Sequence, residues 1–160
     1  MKLGKKTIII IAVGIVVAIV LFIVIRKIVK NNTNRERIRN NAQTIVELEQ
    51  NGAKPEQLSE SQQSHIADVV HDAVDGVGTK ESQLVNAVES IPTAADYFAI
   101  KRAYDKAYAA DMFQDIADDV EPRGSWLDVV FDAGGDEDDR IIWGRINSHL
   151  NLISVPENLR

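Results

Sequence analysis

The sequence predicts an all-α protein in three parts: an N-terminal transmembrane helix, a polar stalk and a helical head. Three observations carry this prediction. Residues 8–25 form an uncharged apolar run, residues 31–58 are polar, and from position 59 onward apolar residues recur at spacings of three and four, the period of a helix buried on one side. Sustained alternation of apolar and polar residues, the pattern of a strand, does not occur. The predicted boundaries are 1–30, 31–58 and 59–160.

Residues 8–25 are expected to lie in a lipid bilayer. The run has eighteen uncharged positions, and at about 1.5 Å per residue it reaches about 27 Å. A cleavable signal peptide is the alternative, but Arg26 and Lys27 follow the run where a small-residue cleavage site would be needed. Three lysines precede the span and six Lys or Arg residues follow it by position 39, so the positive-inside rule favours a head on the cytoplasmic, or particle-interior, side.

The segment after the span is rich in Asn, Arg and Gln, and its few apolar residues fit a weakly amphipathic helix continued from the span. These apolar residues are Ile38, Ile45, Val46 and Leu48. Gly52 and Pro55 mark the end of the helix. We interpret the segment as a solvated stalk that holds the head away from the bilayer. The alternative is that its three arginines, at 35, 37 and 39, lie on anionic headgroups.

Caps and breakers divide the head into helices. The first begins at Ser61 or Ser64 and ends at Gly76 or Gly78, and Thr79 caps the second, which Pro92 ends. Thr93 opens a third helix and Asp111 a fourth; Pro122 and Gly124 break the fourth, a fifth follows, and Asp136 caps the last. The expected inward-facing residues, in helix order, are Ile66, Val69, Val70, Ala73 and Val77; Leu84, Ala87, Val88 and Ile91; Tyr97, Ile100, Tyr104 and Tyr108; Met112, Phe113, Ile116 and Val120; Trp126, Leu127, Val130 and Phe131; and Ile142, Ile146, Leu150 and Ile153.

The charge of the chain excludes one class of partner. Residues 1–30 hold six basic residues and no acid, whereas residues 31–160 hold twelve basic and 24 acidic residues. A surface this negative repels phosphate backbones, so we expect no nucleic acid as partner. It is compatible with divalent cations and with basic protein surfaces. The absence of cysteine excludes disulfides, thiolate metal sites and cysteine nucleophiles.

Patterns that would indicate catalysis or a helix-borne metal do not fit. His65 and His71 are six residues apart, so their side chains point about 120° apart around a helix and cannot share a metal. The acidic run from Asp132 has Trp143 where a calcium loop of the EF-hand type needs a bidentate Glu, and Asp136 to Asp139 is interpreted as the first turn of a helix. Serines lack a Gly-x-Ser-x-Gly turn and the glycines lack phosphate-loop spacing. We expect no enzyme.

A helix, a Gly-x-Gly-Thr turn, three further helices, an acidic residue and a last helix follow one another between about Ser64 and Ala133, and this order resembles one annexin repeat. The matching residues are Gly76, Val77, Gly78, Thr79, Glu81, Leu84, Tyr104, Asp111, Ile116, Asp118 or Asp119, Trp126 and Val130. The family has four such repeats, whereas this chain has one, and Lys80 stands where the family usually has an acid. The resemblance implies a head of five to six helices packed as an annexin-like bundle.

The resemblance also implies a calcium site. In that family the carbonyls of the glycine turn and a carboxylate about forty residues later bind calcium, with lipid phosphate completing the coordination. Carried over, the turn contributes carbonyls at Asp75 or Val74, Gly76 and Gly78, and the carboxylate is Asp118 or Asp119; alignment on Asp111 and Ile116 favours Asp119. Glycines let carbonyls converge, as calcium requires. The Gly-x-Gly pair also serves as a plain helix stop.

Two functions follow. The first is a non-enzymatic, single-pass membrane protein, held in the lipid bilayer by residues 8–25, whose acidic head attaches a protein partner, another copy of itself or a second membrane, as a structural component of a membrane-containing virion would. The second is a calcium-dependent, phospholipid-binding, annexin-like module tethered to a membrane.

Overall fold

All of the secondary structure that the computed structural model describes is helical, which confirms the all-α prediction. The model describes residues 5–75, 80–120 and 137–157, and the side chains of 5–14, 16, 17 and 137–139 are not among those described. The six helices in this part of the chain are α1 (Lys5–Gln50), α2 (Glu60–Val74), α3 (Glu81–Glu89), α4 (Ala94–Tyr108), α5 (Met112–Val120) and α6 (Glu137–Leu152). The predicted fifth helix of the head, from Trp126 to Phe131, lies outside the described residues.

Helix α1 is one unbroken helix of 46 residues, about 69 Å long. In its first half the large apolar side chains that the structure describes are all exposed, by 47% to 62% of their surface. They are Ile15, Ile19, Val20, Leu21, Phe22, Ile23, Val24, Ile25, Ile28 and Val29. Over the described residues, no helix contains an apolar stretch sufficient to cross a membrane. Residues 8–14, 16 and 17 of the predicted span lie outside the described side chains.

The second half of α1 packs along α4. Asn34, Asn41 and Ile45 are buried, and Ile38 and Leu48 are partly buried. These positions repeat at intervals of seven, the spacing that keeps one face of a helix against a neighbouring helix. The prediction of a solvated stalk is therefore wrong for 34–48. The polarity of the segment predicts exposure, but Arg37 and Asn41 have a partner on α4, the carboxylate of Asp105.

Helices α1 and α4 run in opposite directions. Asn41 of α1 contacts Asp105 near the end of α4, whereas Pro55, just beyond α1, lies at Thr93 at the start of α4. The connection from α1 to α2 is fixed to the same start, because the Asp96 carboxylate accepts hydrogen bonds from the backbone N–H groups of Gln57 and Leu58, each 2.9 Å. The end of α4 thus lies toward the apolar half of α1.

Helix α4 is the centre of the head. Every residue from Ala94 to Lys101 is buried, because α1, α2 and α5 all pack against this helix. Thr93 caps it, as predicted, by accepting a hydrogen bond from the Asp96 N–H. Of the predicted tyrosine stripe, Tyr97 and Tyr104 are fully buried and Tyr108 is partly buried.

Several helix starts differ from the prediction. Ser59, rather than Ser61 or Ser64, caps α2 and forms a reciprocal capping box with Gln62. The first residue of α3 is Glu81, and its cap position is Lys80, which makes no side-chain capping hydrogen bond. Thr79, the predicted cap, lies outside the described residues, as do Val77, Pro122, Gly124 and Asp136.

The predicted apolar faces of the remaining helices are largely confirmed. Leu84, Ala87, Val88 and Ile91 of the α3 segment are buried, as are Met112, Ile116 and Val120 of α5 and Ile142, Ile146 and Leu150 of α6. In α2, Val70 and Ala73 are buried, whereas Ile66 and Val69 are partly buried. Helix α6 closes the bundle by packing against α3 and α5.

Candidate functional site

Three residues of the predicted calcium site line one cavity. Asp75 follows the last residue of α2, and Asp118 and Asp119 lie in the last turn of α5, and all three border a cavity of about 270 Å³. They converge because α2 and α5 pack against each other. Gly76 and Gly78, whose carbonyls would complete the site, lie outside the described residues. The calcium site is thus a prediction of which only the carboxylate side is described.

The cavity also contains residues that the annexin resemblance did not indicate: His71, Val74, Tyr104 and Asp115. His71 contacts Asp75, Tyr104 and Tyr108. Its Nδ1 lies 3.3 Å from the Tyr104 hydroxyl oxygen and its Nε2 lies 3.8 Å from Asp75 Oδ2. The ring of Tyr108 stacks on the imidazole with a centroid distance of 3.6 Å. His71 therefore links α2 to α4 at the wall of the cavity.

The two tyrosines that contact His71 are fixed hydrogen-bond donors. The Tyr104 hydroxyl donates to Asp115 Oδ2 over 2.7 Å, and the Tyr108 hydroxyl donates to Asp68 Oδ1 over 2.6 Å. Burial, reinforced by the hydrogen bond to Asp115, raises the pKa of Tyr104 far above its ordinary range. The hydrogen bond to Asp68, reinforced by burial, raises the pKa of Tyr108 to about 12. Both hydroxyls remain protonated at neutral pH, so the negative charge of the cavity comes from carboxylates.

The described carboxylates of the cavity are engaged by protein groups. Asp115 accepts from Tyr104, and Asp118 accepts from the Gln114 side chain over 2.9 Å. Within the described part of the chain, no group of three or more His, Asp or Glu side chains is arranged to hold a metal ion. His65 borders two other cavities and not this one. The two histidines thus do not face a common site, as their spacing predicts.

A second polar cluster lies in the junction between α1 and α4. Asp105 is fully buried, accepts a hydrogen bond of 2.9 Å from Asn41 Nδ2, and lies 3.7 Å from Arg37 Nε. One turn earlier on α4, Lys101 pairs with Asp111 at 3.5 Å. Burial raises the pKa of Asp105 to about 6, and the charge of Arg37 opposes this rise. The junction therefore holds a buried carboxylate whose pKa is raised above its ordinary value.

Sequence reasoning missed this junction and most of the cavity wall. Asn41 and Arg37 belong to the segment predicted to be a solvated stalk, and such a stalk offers no partner for Asp105. The spacing of Tyr104 and Tyr108 on one helix face is the sequence signal for this wall, and the same spacing is typical of core packing.

No protein-family model, curated protein or solved structure matches the chain. The annexin-like repeat therefore remains a prediction from the sequence.

Proposed function

We propose that the chain is a non-enzymatic, single-pass membrane protein whose acidic helical head attaches a protein partner at the membrane surface. One observation carries the proposal: α1 is continuous, with exposed apolar side chains along its first half and a packed face along its second. A membrane segment built this way transmits its position directly to the head, because no flexible linker separates the two.

The exposed apolar side chains of α1 support the membrane assignment. Residues 19–25 are all apolar and all exposed, so they cover every side of the helix. Moving one such side chain from water to an apolar environment is worth about 1.5–3 kcal/mol, and soluble proteins rarely expose continuous apolar patches beyond a few hundred Å². Basic residues follow directly, and the Arg26 guanidinium lies 5.9 Å from the centroid of the Phe22 ring. Arginine commonly takes this position at the edge of a bilayer.

The head lies close to the proposed membrane surface. The packed face begins at Asn34, five residues beyond Val29, which corresponds to about 7.5 Å of helix. The positive-inside rule places this head on the cytoplasmic, or particle-interior, side. Residues 60–160 hold twenty acidic and eight basic residues, so the partner surface that fits the head is basic. A basic structural protein on the same side of the membrane of a virion is one such partner.

The membrane assignment is tested with matched substitutions on one helix. We expect Val20→Asp with Val24→Asp to release the chain from membranes in alkaline carbonate, because a charge within the span opposes insertion, at a cost that reaches about 3 kcal/mol at the centre. Val46→Asp is the control, since Val46 is as exposed as Val20 but lies on the second half of α1. Equal extraction of both variants and the unmodified chain would contradict the anchor.

Orientation is tested separately. Protease added to sealed vesicles is expected to leave the head intact when the cytoplasmic side faces the lumen and to digest it when that side faces outward. Digestion in the opposite arrangement would reverse the assignment without affecting the anchor.

The alternative function is calcium-dependent phospholipid binding, and the shared cavity of Asp75, Asp118 and Asp119 favours it. Isothermal titration of the full chain with millimolar calcium is expected to release heat that Asp118→Asn with Asp119→Asn abolishes. Glu36→Gln with Glu49→Gln removes two exposed acids elsewhere and serves as the charge-matched control. Absence of heat, together with vesicle sedimentation that EGTA does not change, would remove this function and leave the anchor untouched.

A further inference from the structure

We propose that the cavity between α1, α2 and α4 binds the phosphate group of an anionic phospholipid headgroup, from the leaflet that α1 enters. The inference rests on the proposed membrane anchor and adds a ligand class and a site to it. This site is separate from the acidic cavity at His71 and shares no lining residue with it.

The cavity has an apolar floor and a polar rim. Its volume is about 650 Å³, within the range of about 300–1,000 Å³ of small-molecule sites. Ala99, Ala103 and Ala107, each one turn apart on α4, leave room between the helices, and Ile38 closes the side that belongs to α1. The rim is formed by the exposed or partly exposed Glu60, Ser64, Arg102 and Lys106, whereas Gln63, which also lines the cavity, is buried.

The basic residues of the rim are available to a ligand. Arg102 and Lys106 are separated by one helical turn, so their charged groups can reach the same anion. Among the described residues, the cations of Arg37, Lys101 and Arg145 are paired with carboxylates, whereas neither Arg102 nor Lys106 lies within 4.0 Å of a described carboxylate oxygen. A guanidinium presents paired N–H groups that match a phosphate, and an ammonium adds a point charge. The Ser64 hydroxyl provides a further donor.

The position of the cavity favours a lipid as the source of the phosphate. Because α4 runs antiparallel to α1, Lys106 lies at the end of α4 toward the apolar half of α1, and Glu60 lies near the opposite end, beside Leu58. Ile38 is nine residues beyond Val29, about 14 Å along the helix. The headgroup layer adds about 5–7 Å to each side of the hydrocarbon core. Of the two ends of the cavity, the one at Lys106 therefore lies nearer to the headgroups.

Electrostatics lead to the same ligand. The cytoplasmic leaflet, where the positive-inside rule places the head, is anionic and attracts basic side chains close to the membrane. Arg102 and Lys106, together with the exposed Arg35 and Arg39 of α1, are the groups that such a leaflet attracts. The acids toward the end of α2, Asp68 and Asp75, lie near the same end of the head and oppose close approach, so the attraction is confined to the basic groups.

The test is a binding measurement on the full chain in neutral detergent. The probe is dioctanoyl phosphatidylinositol bisphosphate, with dioctanoyl phosphatidylcholine and inorganic phosphate as comparison ligands. We expect saturable binding of the anionic lipid, and we expect Arg102→Gln with Lys106→Gln to weaken it at least about tenfold, since charge-assisted hydrogen bonds are lost. Lys54→Gln with Arg140→Gln removes two exposed cations outside the cavity and is expected to change the affinity less than about twofold.

Three results would overturn the proposal. Equal weakening by both double variants would show attraction to net charge rather than to the cavity, and unchanged binding in the cavity variant would place the lipid elsewhere. Inorganic phosphate binding as tightly as the lipid would show a site for soluble anions. Insertion of the chain into pure phosphatidylcholine liposomes, measured by resistance to carbonate, tests the anchor alone. A chain that inserts but fails the lipid titration thus loses this inference and keeps the proposed function.

Discussion

The two halves of α1 differ in which side chains they expose and which they bury. In residues 19–29 the large apolar side chains are exposed, whereas in 34–48 two asparagines and one isoleucine are buried. The backbone is helical and unbroken throughout. The difference lies in what surrounds the helix: α4 lies along the second half and supplies a carboxylate to the buried amide of Asn41, and no described element covers residues 19–29.

The contrast shows that the polarity of a segment does not by itself predict its exposure. Polar side chains can be buried when a neighbouring helix satisfies their hydrogen bonds. Asn34 and Asn41 recur seven residues apart with Leu48, which is the spacing of a packed seam rather than of a solvated rod. The exposed apolar part of α1 thus gives way to the packed part near residue 33.

The largest effect is expected from removing the apolar contact of the packed half. Ile45→Ala should lower the free energy of unfolding of the full chain by about 2–4 kcal/mol, because Ile45 is buried in the core and its loss leaves a cavity. Val46→Ala, at the exposed neighbouring position, should change it by less than about 0.5 kcal/mol. Urea denaturation in neutral detergent measures both. Similar small effects at the two positions would mean that the second half of α1 is no more packed than the first.

The second prediction concerns Asp105, the buried acid between α1 and α4. The pKa of Asp105 is raised to about 6 by burial, so the folded state binds this proton more tightly than the unfolded state, whose aspartate titrates near 3.9. Its contribution to stability is therefore complete below about pH 4 and is lost as the pH rises through 6, by up to about 3 kcal/mol at about 1.4 kcal/mol per pKa unit. Asp105→Asn should remove this decline.

The measurement is the difference in unfolding free energy between the unmodified chain and Asp105→Asn from pH 4 to pH 7. That difference should move in favour of the variant as the pH rises. In Arg37→Gln the midpoint of the decline should shift to higher pH, because the guanidinium charge that opposes the rise in pKa has been removed. A difference that stays constant over this range would show that Asp105 is not a buried titrating group.

Local sequence rules predicted the helices and their buried faces better than the contacts between helices. Thr93 begins α4 as its capping chemistry requires, and the spacing of Leu84, Val88 and Ile91 marks the buried face of the α3 segment. Both signals lie within a few residues of the feature they describe. The start of α2 was displaced because three serines near position 60 can all cap a helix, and the reciprocal bond with Gln62 selects Ser59.

The candidate site was predicted only in part, for a related reason. The acids at 75, 118 and 119 were grouped through a family resemblance, and they do border one cavity. The roles of His71 and Tyr104 depend on contacts between residues more than thirty positions apart, which no local period contains. The partner of Asp105 is farther still, 64 positions away at Asn41. Long-range polar pairing requires the packed structure.

The smallest expected effect concerns Gly52, two residues beyond the last residue of α1. Gly52 has a φ of 83°, and the N–H groups of Gly52 and Ala53 bond the carbonyls of Glu49 and Leu48 at 3.0 and 2.9 Å, the pattern of a Schellman motif. The same pattern ends α6, where Ser154 takes the left-handed position with a φ of 63°. A side chain at this position costs about 1 kcal/mol relative to glycine. Gly52→Ser should therefore destabilise the head, and Ser154→Gly should stabilise it by a similar amount. Thermal unfolding measures both changes. A change of the same sign in both variants would show that the two helix ends are not equivalent.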